Sequence, residues 1–152
     1  MGSVTQVIHA AGVSFTQAST ERVLHVDLLG TAFVLDAFAQ VVAPGGAGIV
    51  VASMAGYRES PYEREIEHAL VTTETSQLLA LPFLHPEKVG SSVHAYALAK
   101  RANSLRVQTA AAAWGKRRAR VNAISPGVVI TGADLLMDGG VTAALRTGEL
   151  TM

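Results

Sequence analysis

Three short β-branched runs, Val4 to Ile8, Ile49 to Ala52 and Arg120 to Ser125, alternate with stretches whose apolar residues recur every three or four positions. That alternation constrains the fold most, because strands joined by long helical crossovers pair in parallel and take helices on their faces. The first crossover, Ser19 to about Val42, places Val23, Val26, Leu29, Ala32, Phe33 and Ala37 at helical spacing. Ser19 or Thr20 is positioned to cap it, and "PGG" at 44–46 to stop it. A second long helix is predicted over Val93 to Trp114, and a fourth short strand in "GADLLMDGG". The fold class is therefore α/β with a parallel sheet. Ligands of such sheets bind at the C-terminal strand ends, where Gly12, Ser53 and Pro126 all fall.

Residues 57–92 form an insertion between the second strand and the second long helix. Its "SPYE" puts Ser60 at a predicted N-cap, Pro61 at the first helical position and Glu63 at the third, a capping box with a favourable proline. Downstream, "QLLALPFL" is continuously apolar with Pro82 interrupting it. The insertion leaves and rejoins the sheet beside Ser53 and Tyr96, which suits a lid over an apolar substrate; a surface loop packed on the domain is the other reading.

Composition narrows the partners. Hydrophobic residues make up 49% of the 152 and charged ones 16%, so one domain over 1–152 with an aliphatic core is expected. Twelve basic residues balance 12 acidic ones, which leaves no field to recruit nucleic acid or an anionic membrane and favours a small neutral partner. "KRRAR" at 116–120 reads as a solvated loop between helix and strand. The absence of cysteine excludes disulfides and thiolate metal sites and suggests a reducing compartment, the cytoplasm by default. No leader pattern and no apolar run of bilayer-spanning length is evident. The five histidines share no spacing that would put two ligands on one helical face, so no metal is expected.

The chemistry-bearing feature is "HAYALAKRANSL". Tyr96 and Lys100 stand four residues apart, about 6 Å along one helical face. An ammonium about 4.5 Å from a phenol, at an effective dielectric of about 20, favours the phenolate by about 4 kcal/mol. Such a phenolate takes a proton from an alcohol, and the phenol returns one to a carbonyl, while Ser53 hydrogen-bonds the same substrate oxygen. The pair alone is a weak signal, since this spacing also occurs on many helices as a solvated pair.

The ordered set "HAAG", "VVASMAG", "YALAK", "VNAISPGVVIT" and "GADLLMDGG" resembles the short-chain dehydrogenase/reductase family over nearly the whole chain. The insertion and the ending "DGGVTAALRTGEL" look most like the branch containing bacterial 3α-hydroxysteroid dehydrogenase/carbonyl reductase. The resemblance implies a truncated Rossmann-like, doubly wound sheet, with NAD or NADP as cofactor and an apolar, steroid-like alcohol or ketone as substrate. It implies Tyr96 as general acid/base, Lys100 as the group that activates it and binds the nicotinamide ribose, and Ser53 on the substrate oxygen. Asp27 stands where the family usually has an asparagine that anchors a water between helix and lysine. Ala10, Ala11 and Gly12 match the turn beside the cofactor, and Pro126, Gly127, Val129 and Thr131 the segment against the nicotinamide. A homo-oligomer through the two long helices is implied as well.

Two family pieces have no counterpart. One is the glycine-rich strand-to-helix turn that holds the cofactor pyrophosphate; "PGGAG" at 44–48 runs from helix into strand instead. The other is the set of pocket helices between Thr131 and the last strand. The Val4 strand is then expected at a sheet edge. The rival expectation is a non-catalytic relative that serves as an assembly partner.

Overall fold

The computed structural model describes residues 3–58 and 62–127. Its main elements are β1 (Val4–His9), α1 (Thr20–Val41), β2 (Val42–Val51), α2 (Arg64–Thr72), α3 (Ser92–Lys116) and β3 (Arg120–Ile124). The strands form one parallel sheet in the order β1-β2-β3, so the Val4 strand is an edge as expected. The strand expected in "GADLLMDGG", together with Val129, Thr131, Ser60 and Pro61, lies outside the described residues.

β2 starts earlier than the sequence suggests. It follows α1 directly, and the pairing jumps from Val4 with Val42 to Gln6 with Ala47. The intervening "APGG" is looped out at that irregularity, with Gly45 at φ +81°, so the predicted turn is a bulge inside the strand.

The register decides which face is covered. Val7, Gly48 and Val121 lie abreast, as do Ile8, Ile49 and Asn122 in the next row, and adjacent residues point to opposite faces. Trp114 packs over the first row: a Cβ on Gly48 would sit 2.7 Å from its ring, so only glycine admits the indole there. Trp114 is buried with Leu35, Ala39, Val50, Val107 and Val121, and its Nε1–H donates to the Leu35 carbonyl at 3.3 Å. α1 and α3 therefore cover one face, whereas on the other Ile8 is 75% exposed.

α1 is capped by Ser19, whose hydroxyl accepts from Arg22 N, and is wound as a π-helix from Leu24 to Leu29. With 22 residues and a mean hydropathy of 1.3, it is long and apolar enough to cross a bilayer by length and composition, which corrects the sequence expectation that no segment is. Its apolar side, however, is occupied inside the protein: Val23, Leu24, Leu28 and Ala32 pack with Ala95, Leu98 and Ala102 of α3.

The inserted segment is part of this core. Leu70 and Leu78 are fully buried and Leu84 nearly so, in the same cluster as Val23 and Leu98. Arg101 pairs with Glu67 at 2.7 Å, and the buried Arg106 donates to the carbonyls of Leu70 and Thr73. The capping-box position is corrected: α2 begins at Arg64, and Glu63 is its N-cap, with extended ψ of 142° and a carbonyl that accepts from Ile66 and Glu67. Pro82 opens a short 3-10 turn, Pro82–Leu84, consistent with a ring that fixes φ at a first helical position.

Candidate active site

α3 carries the two residues of the predicted pair. Ser91 caps it by accepting from His94 N at 3.2 Å, and the helix runs unbroken through Tyr96 and Lys100 to Lys116. Tyr96 and Lys100 both face a cavity of about 290 Å³ at the C-terminal ends of β1 and β2. Ala10, Gly12, Phe15, Asp27 and Ala52 contribute further walls. Parallel strands leave their carbonyl ends here, and the Lys100 ammonium lies 3.4 Å from the Val51 carbonyl.

The ammonium is buried and sits 5.2 Å from the centroid of the Tyr96 ring, within cation–π range. Its charged partner is Asp27, with Nζ 3.7 Å from Oδ1 and side-chain exposures of 7% and 0%. Burial pushes the Asp27 carboxyl above the usual carboxylate range, and Lys100 together with the Val13 amide opposes it. Burial likewise pulls the Lys100 amine below its ordinary value, and the Asp27 charge opposes that. Gly12 is where the backbone must come close, since a Cβ there would collide with Asp27 Oδ1.

The remaining predicted residues are placed differently. Ser53, half-buried, follows the wall residue Ala52 and caps the turn Met54–Tyr57, accepting from Ala55 N at 3.1 Å while keeping its own O–H to donate. Ala10 and Ala11 are exposed, and Ala10 lines the cavity. Pro126 joins the β2 end by accepting from Met54 N at 2.8 Å, and a Cβ on Gly127 would lie 2.8 Å from Met54 Sδ. Among the described residues the Tyr96 hydroxyl has no hydrogen-bond partner, which leaves it available to a ligand.

Several contributors were not singled out from sequence. Phe15 packs on Tyr96 with ring centroids 5.3 Å apart, and Ser92 Oγ donates to the Phe15 carbonyl at 2.8 Å, fixing the loop after β1 against α3. His9 Nε2 lies 2.9 Å from Thr31 Oγ1, and burial followed by the Lys100 charge lowers its pKa. The Asn103 amide donates to the Asp27 carbonyl at 2.9 Å. The only advance signal was positional: His9 closes β1, while Thr31 and Asn103 each follow a named site residue by about one turn of helix.

Comparison with known proteins places the fold in a family. The family described as enoyl-(acyl carrier protein) reductase matches residues 63–142, more than half of the 152. The short-chain dehydrogenase/reductase bsc3 of Alternaria brassicicola is 38% identical over 134 residues, which is 86% of this chain and 48% of that protein. The 3-alpha-hydroxysteroid dehydrogenase from Pseudomonas sp. B-0831, solved in complex with NADH, matches with a TM-score of 0.70 at 25% identity. That match covers 97% of this chain and 56% of the other. The chain thus spans about half the length of these relatives. A parallel sheet that delivers a Tyr-x-x-x-Lys helix to its C-terminal edge, together with these matches, makes the chain a member of the short-chain dehydrogenase/reductase family.

Proposed function

We propose that the chain carries the proton-handling part of a nicotinamide-dependent oxidoreductase that interconverts an apolar, steroid-like secondary alcohol and its ketone. The observation that carries this reading is the buried Lys100 ammonium 5.2 Å from the Tyr96 ring in the wall of the same cavity. Tyr96 accepts the hydroxyl proton in oxidation and returns it in reduction. Ser53 donates to the same oxygen, and Lys100 stabilises the phenolate by its charge. NAD or NADP, when bound, supplies the hydride exchange with the carbinol carbon.

The residues present fit the nicotinamide end of such a cofactor. Lys100 and Tyr96 present donors to the cavity, and Asp27 Oδ2 is a buried acceptor without a partner among the described residues. Ala10 and Gly12 line the same cavity, and Pro126 lies at the adjoining end of β2. No glycine-rich strand-to-helix turn occurs among the described residues to hold a pyrophosphate, so a second polypeptide segment is needed for full affinity. The inserted segment, fixed on α3 by Arg101 and Arg106, contributes no described residue to this cavity. The absence of cysteine supports a reducing, cytoplasmic setting.

Titration of the purified chain with NADH and NADPH, followed by nicotinamide fluorescence, tests the reading. Saturable binding that Lys100→Ala weakens, with ketone reduction that Tyr96→Phe removes, is the expected result. No binding at millimolar cofactor, in this chain and in a full-length relative, overturns it. The second reading, a non-catalytic assembly partner, is favoured by the exposure of Ile8 at 75%, Val41 at 53% and Phe33 at 50%. Homo-oligomerisation through α1 and α3, measured by size-exclusion with light scattering, belongs to both readings.

A further inference from the structure

Lys100 needs an anchor, because an ammonium on a flexible stem adopts many rotamers unless something holds it. In the family pattern that anchor is a helix asparagine acting through a water. The geometry here points to a different device: we infer that the Asp27 carboxylate itself, by direct ion pairing, positions the Lys100 ammonium. The inference rests on the proposed role of Lys100.

The Asp27 backbone carbonyl is already engaged. It accepts from the Thr31 hydroxyl at 2.8 Å and from Asn103 Nδ2 at 2.9 Å. Thr31 has given its only proton to that carbonyl, so its oxygen accepts at 2.9 Å from His9 Nε2–H, which sets the histidine tautomer. Two side-chain donors therefore already crowd this carbonyl.

The carboxylate is oriented toward the lysine instead. Its Oδ1 accepts the Val13 N–H at 3.1 Å and lies 3.7 Å from Nζ, while Gly12 leaves the space that Oδ1 occupies. Both side chains are more than nine-tenths buried, so water screens the pair little. Nζ then has Val51 O on one side, Asp27 Oδ1 on another and the cavity with Tyr96 on the third. Asp27 is a positioning residue: its effect on chemistry passes through Lys100.

The test reads Lys100 directly and needs no turnover. The ε-carbon resonance of Lys100 is followed against pH in the full chain, in Asp27→Asn and in Thr31→Val, with His9 and Tyr96, the other titratable groups facing the pair, monitored in the same spectra. Asp27→Asn is expected to reduce the proton affinity of Lys100 at least tenfold, and Thr31→Val to leave it unchanged. An unmoved titration in a folded Asp27→Asn, or an equal shift in both variants, overturns the inference. Should Asp27→Asn not fold, the unmodified chain decides. The Lys100 resonance must then move with the midpoint of the Asp27 carboxyl resonance, and its failure to do so also overturns the inference. A shifted Lys100 titration in a chain that binds no NADH would leave this inference standing while the proposed activity fell.

Discussion

Replacing Arg106 by methionine tests whether the inserted segment belongs to the folding unit. The guanidinium is 8% exposed and makes three hydrogen bonds into the segment: Nε to Leu70 O at 2.8 Å, Nη2 to Thr73 O at 2.7 Å and Nη1 to Thr75 Oγ1 at 3.2 Å. Thr75 in turn donates to Asp36 Oδ2 at 2.5 Å, so one side chain of α3 ties the end of α2 to α1. Methionine keeps most of the apolar stem and removes every donor. The Leu70 carbonyl stays buried without its partner, and a charge that faces Asp36 is gone, which together cost about 3 kcal/mol. For a chain of this size that lowers Tm by roughly 6–12 °C. Urea melts followed by Trp114 fluorescence and by circular dichroism, with hydrogen exchange over 64–91, measure it. A loss below about 1 kcal/mol, or unchanged protection of α2, would refute the argument that Arg106 pins the insertion.

Gly12→Ala brings a methyl group into Asp27 Oδ1 and should destabilise by about 1–3 kcal/mol, as overpacking does; a thermal melt matching the parent would show that the loop gives way freely. His9 has a folded pKa below the ordinary histidine value, so the unfolded chain binds its proton first as the medium is acidified. Its contribution is complete above about pH 6.5 and falls as pH drops through the folded value. His9→Asn should therefore flatten stability against pH between about 7.5 and 5, and urea midpoints that keep the parental slope would contradict the assignment. Ile8→Lys, on the uncovered sheet face, should change stability by no more than about 0.5 kcal/mol and raise solubility. A loss above about 1 kcal/mol in the same melts would mean that the face is covered.

The parallel sheet and the Tyr96–Lys100 face could be read from sequence because both follow from period: apolar spacing assigns the helices, and four residues bring two side chains nearly into line. The end of the first strand and the Ser19 cap were legible for the same local reasons. Arg106 was not, since arginine in a polar-looking helix gives no sign that a neighbouring helix end will bury it. Nor was the start of β2, because parallel pairing to β1 overrode the turn preference of "PGG" and absorbed it as a bulge. Asp27 could be placed opposite Lys100 by resemblance. That its carbonyl would be taken by Thr31 and Asn103 depended on residues 4 and 76 positions away, a tertiary matter.

The two cavities on α3 share a property of phase. Tyr96 and Lys100 line one, while His94 and Leu98 line an apolar pocket of about 420 Å³ against Tyr62, Ile66 and Phe83. Two residues of offset turn an α-helix by about 200°, so the pairs point in opposite directions from the same two turns. Substitution at any one position alters one cavity alone. A single residue inserted between Ser91 and His94 would rotate both pairs by about 100° and take each out of its cavity at once. The length of this stretch of helix is therefore fixed from both sides.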